Sequence, residues 1–194
     1  MNEYSPSKLI DLKNYLNQKN YKKIFILVGN KSFKKLEIKN QIENYLLDKI
    51  IYYYEKKEPY PEYNELIDIT KKLDEYNPDL IIAIGGGSVI DYAKIANILK
   101  LDENLKSKIK LNKIKFNKKY SLLAIPTTAG SGAEVTANAV IYIDKIKYSL
   151  ENENIKPDYF FLIPELINIG TKKIKASAGF DAISQSIESL ISTK

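Results

Sequence analysis

Between residues 81 and 94 an apolar run, Ile81-Ile82-Ala83-Ile84, meets Gly85-Gly86-Gly87-Ser88. A helical pattern carrying Asp91 and Lys94 follows. A strand, a tight turn and a helix start in that order can bind phosphate. The first N–H groups of a helix have no partner within it, and the helix dipole there favours an anion. Glycines let this backbone approach the anion with no Cβ in the way. The spacing is not G-x-G-x-x-G, so that dinucleotide fingerprint cannot be claimed. A glycine turn that merely joins a buried strand to a helix is the competing reading. Asp91 and Lys94 stand at i and i+3 and can pair. Asp91 reads equally as a buried carboxylate holding the turn and as a ligand contact.

A second candidate follows about forty residues later, in Ala124-Ile125-Pro126-Thr127-Thr128-Ala129-Gly130-Ser131-Gly132-Ala133-Glu134-Val135-Thr136. An apolar strand again runs into small and hydroxylated residues. Hydroxyls and glycine amides make a polar cradle of little bulk, suited to a ribose, a diphosphate or a carboxamide. Alone, such a stretch also reads as a surface loop. Late in the chain Asp181 and Gln185 stand at i and i+4, which puts both on one helix face.

In this order and spacing the motifs resemble the iron-containing alcohol dehydrogenase family, whose pattern is GGGSxxDxAK followed by PTTAGTGSEVT. This chain departs from it at Ser131 and Ala133. The resemblance continues through Lys147-Tyr148-Ser149-Leu150, Lys156-Pro157-Asp158, Pro164-Glu165-Leu166 and the run from Ala178 to Glu188, and so covers nearly the whole sequence. Within the family it is most similar to the phosphonoacetaldehyde reductases. They have an early G-K-x-S-F segment, which Gly29-Asn30-Lys31-Ser32-Phe33 resembles, the Lys147 to Leu150 segment, and a glutamine at Gln185 where most of the family has histidine.

The resemblance implies a metal-dependent NAD(P)H reductase of a small aldehyde, with phosphonoacetaldehyde to 2-hydroxyethylphosphonate as the suggested reaction. Gly86, Gly87 and Ser88 would take the cofactor diphosphate, and Thr127, Thr128 and Ser131 would add hydroxyls to it. Thr136 and Lys147 resemble positions near the ribose and nicotinamide. Glu55, after the second expected strand, would meet the adenosine ribose, where a carboxylate favours NADH; Lys56 and Lys57 beside it could do the opposite. Tyr60 replaces the family's asparagine between Pro59 and Pro61. Asp181 and Gln185 would be metal ligands for Fe2+ or Zn2+ in a complete protein. With no histidine in the sequence, this chain alone is expected to hold no functional metal. The sequence leaves the catalytic residues themselves unknown. A non-catalytic nucleotide-binding remnant and a lyase-type relative such as a 3-dehydroquinate synthase are the rival readings.

The 194 residues are 44% apolar and 28% charged, with net charge +6 and no cysteine, which excludes disulfides and thiolate metal sites. Lysines from Lys106 to Lys119 could attract nucleic acid, but no nucleic-acid fold signature accompanies them, so they read as solvated surface. No apolar run approaches the roughly 20 residues of a membrane span, and the N-terminus has no signal-peptide core. The expected setting is cytoplasmic. The expected partners are a small aldehyde or alcohol, with a phosphonate and a homodimer as candidates, and neither nucleic acid nor membrane.

The elements that must position these groups alternate. Helices are expected over 7–17, 33–47, 63–76 and 88–99, and strands over 24–28, 50–54, 80–84 and 122–125. Further extended segments are expected over 141–144 and 159–162. From residue 171 the pattern turns helical, with Gly179 its only interruption. Strands alternating with helices predict an α/β fold, a Rossmann-like mostly parallel sheet with flanking helices. The family architecture, shared with dehydroquinate synthase, adds the start of an all-helical domain. The expected division is a dinucleotide-binding domain at 1–166 and the first helices of a truncated domain at 167–194. The apolar positions Ala182, Ile183, Ile187 and Leu190 on that last helix would then lack a partner surface.

Overall fold

The structure is a computed structural model and describes residues 8–29, 38–168 and 170–192. The strands are β1 (Lys23–Gly29), β2 (Ile50–Lys56), β3 (Leu80–Gly85), β4 (Ser121–Pro126), β5 (Asn138–Ile143), β6 (Ile146–Glu151) and β7 (Tyr159–Phe160). The helices are α1 (Leu9–Gln18), α2 (Ile38–Tyr45), α3 (Tyr63–Tyr76), α4 (Gly87–Ala96), α5 (Leu105–Lys110), α6 (Pro164–Asn168) and α7 (Lys172–Ile191). Five strands form a parallel sheet in the order β2-β1-β3-β4-β7, and β5 pairs antiparallel with β6.

The alternation of side chains along a strand divides the core in two. Ile24, Ile26, Val28, Leu80, Ile82, Ile84, Leu123 and Ile125 face α1, α2 and α6. Phe25, Leu27, Ile81, Ala83, Leu122 and Ala124 face α3, α4, α5 and the β5–β6 hairpin. Because both faces are covered, the central strands read as continuous apolar runs rather than alternating ones. Leu66, Ile69 and Leu73 recur along α3 at helical spacing, and all three are buried. The chain leaves β1 for β2 on one side and returns to β3 on the other. The strand order therefore reverses between β1 and β3, and the crevice beyond their carboxyl ends is where ligands bind in open α/β sheets.

The α/β expectation holds, with several local differences. Strand β2 continues to Lys56, so Glu55 lies inside the strand rather than after it. The 141–144 segment is half of a hairpin whose second strand, β6, shows little in the sequence because four of its six residues are exposed. Its two-residue turn, Asp144 and Lys145, lies in the left-handed region with φ of 53° and 65°, the geometry that matches strand twist. Gly179 does not interrupt α7, which runs unbroken past it. Helix α7 starts on the Thr171 hydroxyl, which accepts the Ile174 N–H at 3.3 Å. The expected helix over 33–47 is described only from Ile38, and the segment Asn30 to Phe33 lies outside the described residues. Among the described residues no helix is long and apolar enough to cross a membrane.

Candidate functional site

The three-glycine turn lies between β3 and α4 at the carboxyl edge of the sheet. Gly86 is the N-cap of α4, and no side-chain cap bond closes that end. Gly87 and Ser88 are the helix's first two residues, so their N–H groups belong to the first turn, which no intrahelical carbonyl reaches. Gly85 accepts the Thr127 N–H at 2.9 Å, which ties the glycine turn to the hydroxyl-rich loop after β4. The two loops are in tight contact. A Cβ on Gly86 would stand 3.2 Å from Thr128 Oγ1, and one on Gly87 would stand 2.8 Å from Ser131 Oγ and 3.2 Å from Ser131 Cβ. Side chains at these positions would fill the polar cradle that the two loops build together.

Beside this cradle opens a cleft of about 920 Å³ whose walls include Asp91, Ser131, Thr136, Lys147, Asp181 and Gln185. Six of the residues singled out in the sequence, from α4, the loop after β4, β6 and α7, thus share one space. Thr127 is buried, and with Thr128 it lines a separate small cavity of about 140 Å³ under α7, beside Ile174 and Ala178. Gly130 meets α7 backbone to backbone, since a Cβ there would lie 2.5 Å from the Ala178 carbonyl oxygen. Glu55 is on the edge strand β2 and is not among the residues lining the cleft.

Electrostatics in the cleft are set by burial. Burial raises the Asp91 carboxyl to about 6 against the opposing pull of Lys94, of the Val140 N–H and of Lys147. Asp91 Oδ2 accepts that Val140 N–H at 3.2 Å. Burial lowers Lys94 to about 8, although Asp91 and Glu134 pull the other way. The expected pairing of Asp91 with Lys94 is not the geometry found. The Lys94 ammonium donates to the Thr136 carbonyl (2.9 Å), the Thr136 hydroxyl (3.1 Å) and the Asn138 carbonyl (2.9 Å). Three acceptors within reach outcompete a carboxylate one helix turn away.

Lys56 is likewise not presented to a ligand phosphate. It is buried and donates to the Glu58 and Pro59 carbonyls at 2.7 and 3.1 Å, and burial lowers its pKa. Nothing in the sequence marked out Glu65, whose buried carboxylate accepts the N–H groups of Lys57 (2.6 Å) and Glu58 (3.0 Å) and the Tyr92 hydroxyl (2.8 Å). A carboxylate at the start of an amphipathic helix reads as solvated, and only the packing of α3 against α4 brings Tyr92 to it. In the lysine-rich stretch, Lys106 and Lys110 pair with Asp144, Lys118 with Asp158 and Lys119 with Asp74. Among the described residues no three His, Cys, Asp or Glu side chains gather as metal ligands would.

The family described as "Iron-containing alcohol dehydrogenase" matches residues 4–164. An alcohol dehydrogenase of Thermococcus barophilus is 36% identical over 140 residues, covering 69% of this chain and 37% of that protein. An NADPH-dependent butanol dehydrogenase of Clostridium saccharobutylicum is 33% identical over 202 aligned positions, covering 98% of this chain and 50% of that protein. Among solved structures, an iron-containing alcohol dehydrogenase from Thermococcus thioreducens superposes with a TM-score of 0.77 at 26% identity, covering 92% of this chain and 48% of that one. The chain spans half or less of the length of these relatives.

Proposed function

Since this chain belongs to the iron-containing alcohol dehydrogenase family, we propose that the protein is an oxidoreductase that uses a nicotinamide dinucleotide to reduce a small aldehyde. The observation that carries this is the close approach of Gly86 and Gly87 to Thr128 and Ser131 above the start of α4, at the carboxyl edge of the sheet where β3 and β4 end. When bound, the reduced nicotinamide supplies the hydride.

The residues of the chain bind and orient. In this reading the first-turn N–H groups of Gly87 and Ser88 hold the diphosphate, and the hydroxyls of Thr127, Thr128 and Ser131 add donors along it. Thr136 and Lys147 flank the ribose and nicotinamide end within the cleft, and Asp91 anchors β5 there. Glu55, at the carboxyl end of β2, meets the adenosine ribose and favours NADH over NADPH. The internal engagement of Lys56 supports that preference, because its charge is not offered to a 2′-phosphate. The donors present do not fit a resident metal by themselves. Asp181 and Gln185 supply one carboxylate and one amide, and a transition-metal site needs more and stronger ligands. Were other ligands supplied by a longer protein, Asp181 and Gln185 would be two ligands of an Fe2+ or Zn2+.

The substrate class proposed is a small aldehyde, with phosphonoacetaldehyde first among candidates. The test is NADH and NADPH oxidation by the full-length gene product, offered simple aldehydes and phosphonoacetaldehyde separately. Turnover of simple aldehydes with none of phosphonoacetaldehyde overturns the phosphonate assignment. Dinucleotide binding without turnover of any aldehyde overturns the reductase reading in favour of a non-catalytic nucleotide-binding protein.

A further inference from the structure

Lys94 is fully buried, at 0% exposure, on the helix that begins at the glycine turn. It is nonetheless turned toward the cleft wall. Two of its three acceptors belong to Thr136 and the third to Asn138, both of which line the cleft. Three residues earlier on α4, Asp91 holds the Val140 N–H of the same wall. One turn of helix therefore fixes the whole segment from Thr136 to Val140.

We propose that Lys94 is a positioning residue whose ammonium occupies a lone pair of Thr136 Oγ1 and so turns the Thr136 hydroxyl into the cleft as a hydrogen-bond donor. A hydroxyl that accepts from an ammonium cannot also point its hydrogen there. The hydrogen is free for a ligand oxygen, and the charged donor strengthens that bond through cooperativity. The group recognised at Thr136 is therefore an acceptor, such as a carboxamide oxygen, a ribose oxygen or the oxygen of a carbonyl substrate. This deepens the dinucleotide reading above and rests on it.

The experiment uses the full-length gene product. Dinucleotide affinity (NADH and NADPH titrations), kcat, cofactor KM and thermal midpoint are measured for wild type, Thr136→Val, Thr136→Ser, Lys94→Met and the Lys94→Met/Thr136→Val double variant. Thr136→Val is expected to lower kcat/KM for the cofactor roughly 10- to 100-fold and to lower the thermal midpoint as well, because one N–H of the buried Lys94 ammonium loses its acceptor, and Thr136→Ser is expected to recover most of both losses. The double variant is expected to be no worse than Lys94→Met, because both substitutions remove one donor.

Should Lys94→Met fail to fold, the ratio of wild type to Thr136→Val at pH 7 and pH 9.5 carries the test. The charged groups facing Lys94 are Asp91 on α4 and Glu134 before β5; Lys147 on β6 and Asp181 and Glu188 on α7 share the cleft. Lys94 loses its proton above about 8, so the ratio is expected to shrink toward unity at pH 9.5. A competent wild type with an unaffected Thr136→Val, or a ratio that ignores pH, overturns the proposal. A wild type that binds neither dinucleotide overturns the dinucleotide reading and this proposal with it.

Discussion

Gly87 and Ser131 stand so close that a single added methyl group would put carbon 2.8 Å from the serine oxygen. These two residues are more than forty positions apart in sequence, yet they meet where the glycine turn and the hydroxyl loop pack together. Gly87→Ala should therefore displace Ser131 and narrow the cradle. We expect dinucleotide affinity to fall at least about tenfold, with an unfolding cost of roughly 1–3 kcal/mol from overpacking. NADH fluorescence titration beside urea denaturation checks both, and undiminished affinity would refute the cradle.

Gly130 and Ala178 make the backbone contact that joins the sheet's loops to α7. In Gly130→Ala the new methyl meets the Ala178 carbonyl at 2.5 Å, and neither backbone can move aside cheaply. We expect α7 to separate from the loop while the sheet survives. Limited proteolysis should then cut within residues 172–191 faster than in wild type, with far-UV circular dichroism of the remainder retained. Equal cleavage rates would show that this contact does not hold α7.

Glu65 satisfies two backbone N–H groups and the Tyr92 hydroxyl at once. Glu65→Leu would take that acceptor from all three; Lys57 and Glu58 are exposed and the Tyr92 hydroxyl still reaches the Tyr60 carbonyl at 3.1 Å, so the cost falls well short of three stranded buried donors at about 1–3 kcal/mol each. An overall loss of about 3 kcal/mol is expected from the urea midpoint. Tyr92→Phe, which also gives up the bond from the Glu62 N–H at 2.6 Å, should cost about half as much.

Stability should depend on pH through Asp91 and Lys94 with definite signs. Asp91 is raised from 3.8 to about 6, so the folded state binds its proton more tightly than the unfolded chain. That contribution is complete below pH 3.8 and disappears as pH rises through 6. Lys94 is lowered from 10.5 to about 8, so the folded state releases its proton first. Its contribution is complete above pH 10.5 and disappears as pH falls through 8. Asp91→Asn should therefore gain on wild type between pH 4 and pH 6 and hold a constant offset from there to pH 8. Urea midpoints at half-unit intervals test this, and parallel curves from pH 4 to pH 6 would refute it.

Helix α7 has no buried residue, and Phe180, Ile183, Ile187 and Leu190 are exposed at 72%, 57%, 54% and 85%. Such an apolar stripe should make the 194-residue chain self-associate. Phe180→Ser with Leu190→Ser should lower its light scattering at high concentration; unchanged scattering would mean that another surface is responsible.

Local chemistry explains what could be read in advance. The apolar runs at Ile24 to Val28 and Leu80 to Ile84 can be buried on both faces only in a covered parallel sheet, and three glycines before a helical pattern announce a tight turn at a helix start. The spacing of Asp181 and Gln185 fixed them to one helix face, because helical periodicity is a property of the chain itself. Where β2 ends, that α5 forms among lysines, and that β6 pairs with β5 were not legible, since exposed or mixed residues carry weak periodic signals. Nor could the sequence show that Lys94 bonds Thr136 and Asn138 rather than Asp91. That choice depends on which acceptors the packing of α4 against β5 brings within 3.1 Å, and distances between segments forty residues apart exist only once the chain has folded. The sequence determined the elements and the kinds of groups they carry; the tertiary structure decided which of those groups meet, because burial and contact belong to the assembled core.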